Sequence, residues 1–135
     1  MSAVLPLLQK HGLRLLIEPL NTRIDHKDSF LDNSADAFSL ISEFSSPHFA
    51  LLYDIYHARI MGEDCCAVIR NKAALIGHLH AAGVQGRHEF WECDPDYPAL
   101  LQAAEDAGYQ GLCGLEYAPL LPREESLVRA REILR

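Results

Sequence analysis

Four residues of metal-binding type stand at the ends of short apolar runs in this sequence. Glu18 follows the run at 13–17, Asp54 follows 49–53, Glu116 follows 111–115, and His80 lies near the end of 76–81. Their separations are 36, 26 and 36 residues, each the length of one strand-helix unit. If the apolar runs are parallel strands, their carboxyl ends share one edge of the sheet, and four ligands distant in sequence converge there. Three carboxylates and one imidazole form a hard, oxygen-rich donor set. It suits Mg²⁺ or Mn²⁺ better than a soft-ligand metal, and Co²⁺ and Zn²⁺ also accept it. A single acid at a strand end is ordinarily a solvated loop residue or a helix cap. Four at unit spacing make a stronger pattern. His57 lies one short turn beyond Asp54, and the polar segment after His80 carries Arg87, His88 and Glu89.

The elements that must position these residues are legible from periodicity. Residues 2–11 read as a helix stopped by Gly12. The cluster Asp32, Asn33 and Ser34 caps a helix whose apolar positions are Ala37, Phe38, Leu40, Ile41 and Phe44, closed by Pro47. Further helices are predicted over 65–75, over 98–107 before Gly108, and over 124–134, the last with acids at its start and arginines at its end as the helix dipole favours. A polar loop spans 83–96. The result is one helix followed by four strand-helix units, hence right-handed crossovers and a parallel α/β sheet. The strands are nearly continuous in apolar residues, which predicts that both sheet faces are covered.

Composition narrows the class of protein. The chain has 135 residues, 49% hydrophobic and 23% charged, enough to bury one core and fitting a single domain over 1–135. A net charge of −7 lacks the basic footprint that nucleic-acid phosphates require. No apolar run approaches the roughly 20 residues of a membrane span. The first residues have neither a charged leader nor a small-residue cleavage site, unlike a secretory signal. Cys65, Cys66, Cys93 and Cys113 form no C-x-x-C pair, so reduced thiols and a cytoplasmic location are expected.

Several strings resemble the hydroxypyruvate isomerase family, within the xylose isomerase-like TIM barrels. They are IEPLNTR (17–23), YDIYHARIM (53–61), IGHLHAA (76–82), GRHE (86–89), DYPALL (96–101) and GLEY (114–117), in family order and at family spacing. The resemblance covers residues 12 to 119 and implies a (β/α)8 barrel with one divalent metal at its C-terminal mouth. It assigns the metal to Glu18, Asp54, His80 and Glu116, proton transfer to Glu18 and Glu116, and contacts with substrate oxygens to His57 and Arg87. The expected reaction converts hydroxypyruvate to tartronate semialdehyde through an enediolate.

Three positions depart from the family pattern. His80, as in related ketose 3-epimerases, stands where hydroxypyruvate isomerases often have Gln, and this favours as an alternative an isomerase or 3-epimerase acting on a longer keto acid or ketose. The loop after GRHE carries Phe90 and Trp91, with Asp94 in place of a glutamate, and Ala118-Pro119 replaces a polar residue before proline. A complete barrel takes about 250 residues. The chain is therefore expected to hold the C-terminal half of a barrel, about four strands. A second copy or a complementary N-terminal half would complete it, or it would be an inactive half-barrel or interaction module.

Overall fold

The computed structural model describes residues 1–91 and 96–134. Cys93 and Asp94 lie outside the described residues. Four strands, β1 (Leu15–Ile17), β2 (Phe49–Asp54), β3 (Ile76–Ala81) and β4 (Cys113–Leu115), form one sheet in the order β1-β2-β3-β4. Every neighbouring pair is parallel. Helices α1 (Leu5–His11), α2 (Ser34–Phe44), α3 (Ile55–Met61), α4 (Cys65–Lys72), α5 (Tyr97–Asp106) and α6 (Arg123–Ile133) alternate with the strands. This is the expected half of a (β/α)8 barrel.

Local chemistry sets the boundaries. Asn33 caps α2 by accepting from the Asp36 amide, Asp64 caps α4 through Ala67, and Asp96 caps α5 through Ala99. The helix expected over 65–75 is α-helical only to Lys72 and tightens into a 3₁₀ turn over Ala73–Leu75. The first helix starts at Leu5 rather than residue 2, and the last strand begins at Cys113 rather than 111. Helix α3 was not foreseen. It follows β2 without a loop, because Asp54 is at once the last strand residue and the N-cap, and Gly62 ends it with a left-handed φ of 92°.

The core lies between one face of the sheet and its helices. Phe38 and Ile41 of α2, Leu51 and Tyr53 of β2, Ile69 of α4 and Leu79 of β3 are among its buried residues. The expectation that both faces are covered holds for β2 alone, whose residues are buried except Leu52. On β3, Gly77, His78 and His80 are only partly covered, and Leu15 and Leu115 on the two edge strands are each 36% exposed. The physical reason is topological. In a closed barrel the opposite strands cover the inner face, and these four strands leave it open.

Side-chain alternation places the proposed ligands on that inner face. Asp54 pairs with His80 and His80 with Gly114 across the ladder, while Glu18 and Glu116 directly follow β1 and β4. Gly114 has a steric role here. A Cβ at this position would come within 2.9 Å of both His78 Nε2 and His80 Cδ2, so the two imidazoles pack where glycine leaves room.

Candidate metal and substrate site

Glu18, Asp54, His80 and Glu116 come together as their spacing implied. Each offers one ligand atom, and these atoms all lie within 4.8 Å of one another. Asp54 is the buried centre of the group. Its Oδ1 accepts from the Tyr56 amide at 2.8 Å. Its Oδ2 faces Arg87 Nη2 at 3.2 Å, His57 Nε2 at 3.7 Å and His80 Nδ1 at 4.0 Å. Glu116 Oε2 lies 2.9 Å from His80 Nδ1 and 3.0 Å from Arg87 Nη2. The guanidinium thus bridges two of the carboxylates.

The electrostatics of the group suit a cation. Burial, followed by the nearby charges of Asp54 and Glu116, raises the pKa of Glu18 above the ordinary carboxylate range. Burial likewise raises Asp54, despite the lowering influence of Arg87 and the Tyr56 amide. His80 Nδ1 is buried and close to Glu116 Oε2, yet it makes no hydrogen bond of acceptable geometry. A convergent set of three carboxylates and one ill-satisfied imidazole nitrogen fits a hard divalent ion.

His57 and Arg87 flank this group. His57, on α3, is buried, and burial first and Arg87 second push its pKa down to about 4, so the ring is neutral at pH 7. Arg87 stacks on the Tyr56 ring with its guanidinium carbon 4.7 Å from the centroid. Its backbone adopts a left-handed φ of 57°. Such a conformation costs a non-glycine residue about 1–3 kcal/mol and persists only where the surroundings impose it.

Contacts between the two loops impose it. The Ala118 amide donates to the Arg87 carbonyl at 2.9 Å, and His88 Nδ1 donates to the Ala118 carbonyl at 2.7 Å. The Glu89 carboxylate accepts from the Leu120 and Leu121 amides and from Ser126 Oγ at 2.9 to 3.1 Å. Slight burial works against the Glu89 charge, but those two amides and that hydroxyl outweigh it and bring its pKa to about 2. Because the folded value lies below the ordinary 4.5, this latch contributes fully above about pH 4.5 and is lost as pH falls toward about 2. Glu89→Gln is expected to remove that acid-dependent component, measured as unfolding midpoints across pH 2–5.

The aromatic residues that replace the family's loop pattern are absorbed by packing. Phe90 is buried against Tyr97 and Tyr117, and the Arg129 guanidinium sits 5.0 Å above the Trp91 ring. Sequence reasoning missed Asn21, Asp25 and Tyr56 as parts of the site. Asn21 and Tyr56 fall inside strings that carried the resemblance, but their chemistry depends on contacts across 31 and 36 residues.

Parallel β/α units with a polar cluster at the strands' carboxyl ends define a partial β/α barrel whose site lies at its mouth. The chain belongs to the xylose isomerase-like TIM barrel family, whose sequence model matches residues 1–135. It is 36% identical over 115 residues to a human protein named putative hydroxypyruvate isomerase, covering 83% of this chain and 41% of that one. It is 35% identical over 108 residues to the 2-oxo-tetronate isomerase of Cupriavidus necator, covering 80% and 41%. A crystal structure from Brucella melitensis, described as AP endonuclease, family 2, superposes with a TM-score of 0.87 at 34% identity, covering 94% of this chain and 49% of that one. The chain thus spans about two fifths of these curated relatives.

Proposed function

We propose that this chain carries the metal-binding half of an isomerase that interconverts hydroxypyruvate and tartronate semialdehyde. The observation that carries the reading is the convergence of four ligand atoms within 4.8 Å at the open mouth. Glu18, Asp54, His80 and Glu116 would hold the divalent ion, Mg²⁺ or Mn²⁺ before Co²⁺ or Zn²⁺. When bound, the ion supplies Lewis-acid stabilisation of negative charge developing on substrate oxygens.

The reaction moves a carbonyl by one carbon. A proton leaves C3 of hydroxypyruvate, an enediolate forms, and a proton returns to C2, while the C3 hydroxyl proton is lost and the C2 oxygen gains one. Glu18 and Glu116 are the carboxylates assigned to these carbon-bound protons. The raised pKa of Glu18 makes it a stronger base than an exposed glutamate. Neutral His57 holds a substrate oxygen, and Arg87 offers a planar fork of donors to the substrate carboxylate.

A four-carbon keto acid is the second reading. His80 and the 35% identity to a 2-oxo-tetronate isomerase favour it. Rates on hydroxypyruvate and on 2-oxo-tetronate, measured with added Mg²⁺ or Mn²⁺, separate the two readings. Loss of turnover on both substrates, with metal bound, contradicts the function itself.

Closure of the barrel needs four further strand-helix units. Among the described residues, β1 and β4 are unpaired edges and Leu112 beside β4 is 75% exposed. A second copy of this chain or a complementary half-barrel would cover them. With metal added, size-exclusion chromatography is expected to show a species larger than the 15.1 kDa of one chain. A folded monomer of that size that binds no metal favours the non-catalytic half-barrel. A cytoplasmic location accords with this small-molecule chemistry, and among the described residues no helix is long and apolar enough to cross a membrane.

A further inference from the structure

The side of His57 turned away from the metal ligands meets a hydrogen-bond arrangement that fixes where its proton sits. Asn21 is fully buried. Its Oδ1 accepts from the Ile24 amide at 3.1 Å and from the Asp25 amide at 3.0 Å. Two backbone donors on one atom settle which end of the amide is oxygen. The other end is therefore NH₂, and it donates to Asp25 Oδ2 at 2.8 Å and to His57 Nδ1 at 2.6 Å. The Asn21 backbone N–H also points at His57 Nδ1, at 3.3 Å. His57 Nδ1 thus faces two donors and has to accept.

We propose that Asn21 is a positioning residue that locks His57 as its Nε2–H tautomer, so that His57 acts as a hydrogen-bond donor to substrate rather than as a base. The inference rests on the functional reading above for the word substrate, but its geometry does not. With Nδ1 engaged, the proton lies on Nε2, the nitrogen turned toward Asp54 Oδ2 and the mouth of the site. A donor there suits a carbonyl or developing alkoxide oxygen and leaves carbon-bound proton transfer to the carboxylates.

Asp25 extends the arrangement. Its Oδ2 also accepts from the Tyr56 hydroxyl at 2.7 Å, and the Tyr56 ring carries the Arg87 guanidinium. One buried asparagine and one carboxylate therefore hold both groups expected to touch the substrate's oxygens. The His26 ring packs edge-on against His57 at 5.3 Å and restricts its rotation.

The test is the ¹⁵N spectrum of the histidine imidazoles in the Mg²⁺-loaded protein, with His57 assigned by substitution. The expected pattern for His57 is a pyridine-like Nδ1 and a pyrrole-like Nε2. A proton on Nδ1 in the wild-type spectrum overturns the proposal without any variant. Asn21→Asp replaces the donor with an acceptor and is expected to move the proton to Nδ1 and to lower kcat by about 10²-fold. If that variant does not fold, Asn21→Ala is expected to mix the two tautomers. An unchanged Nε2–H pattern in whichever variant folds overturns the proposal. Absence of isomerase activity with the expected nitrogen shifts contradicts the functional reading alone, so the two failures are distinguishable.

Discussion

Glu116→Gln is expected to lower turnover in the proposed isomerase reaction by about 10³-fold or more, within the range assigned to loss of a general acid-base group. The amide keeps the size of the side chain and can still meet His80 and Arg87, whose nitrogens lie 2.9 and 3.0 Å from Oε2. It cannot take up and return a proton, and it removes one of three carboxylates from the proposed metal site. Folding should be nearly unaffected, because the Glu116 side chain is 53% exposed and surface changes of this kind stay within about 0.5 kcal/mol. The measurement is kcat on hydroxypyruvate beside a urea or thermal unfolding curve. Full activity in a folded variant removes Glu116 from proton transfer.

Asp54→Asn is expected to act through the metal. Asparagine retains an oxygen that can accept from the Tyr56 amide, so the cap of α3 survives, whereas Asp54→Ala would also cost about 1 kcal/mol of cap stability. The lost charge is the most buried of the carboxylates and the one that Arg87, His57 and His80 all face. Partners one step removed from a metal typically change affinity by 10- to 100-fold, so a direct ligand is expected to cost about 100-fold or more. Removing the carboxylate also leaves Arg87 paired with Glu116 alone in this group, which weakens the hold on the guanidinium. Calorimetric titration with Mn²⁺ checks the affinity. An unchanged constant would take Asp54 out of the ligand set.

The convergence of these four ligand-type side chains was legible because of a property of parallel sheets. Strands that run the same way bring their carboxyl ends to one edge, so Glu18, Asp54, His80 and Glu116 could be grouped from spacing alone. The helices were legible from apolar periodicity and from caps such as Asn33. Helix α3 was hidden because Asp54 serves two elements, leaving no loop to mark a boundary. The open inner face followed from a length of half a barrel, not from the strands themselves, because apolar strands read alike whether or not opposing strands cover them.

The supports of His57 and Arg87 were hidden for another reason. Asn21, Asp25 and Tyr56 meet through the fold, and no local pattern announces that an asparagine amide will face an imidazole. The left-handed backbone of Arg87 likewise depends on Ala118, 31 residues away. Tertiary contacts, not propensity, decide such positions.

Glu18, Asp54, His80 and Glu116 are proposed to hold one divalent ion. Titration of Mn²⁺ into metal-free protein, in the wild type and in Asp54→Asn, tests this most directly. One ion per chain is expected in the wild type, with an affinity at least about 100-fold weaker in the variant. No binding by the folded wild-type protein, or equal binding by both, would contradict it.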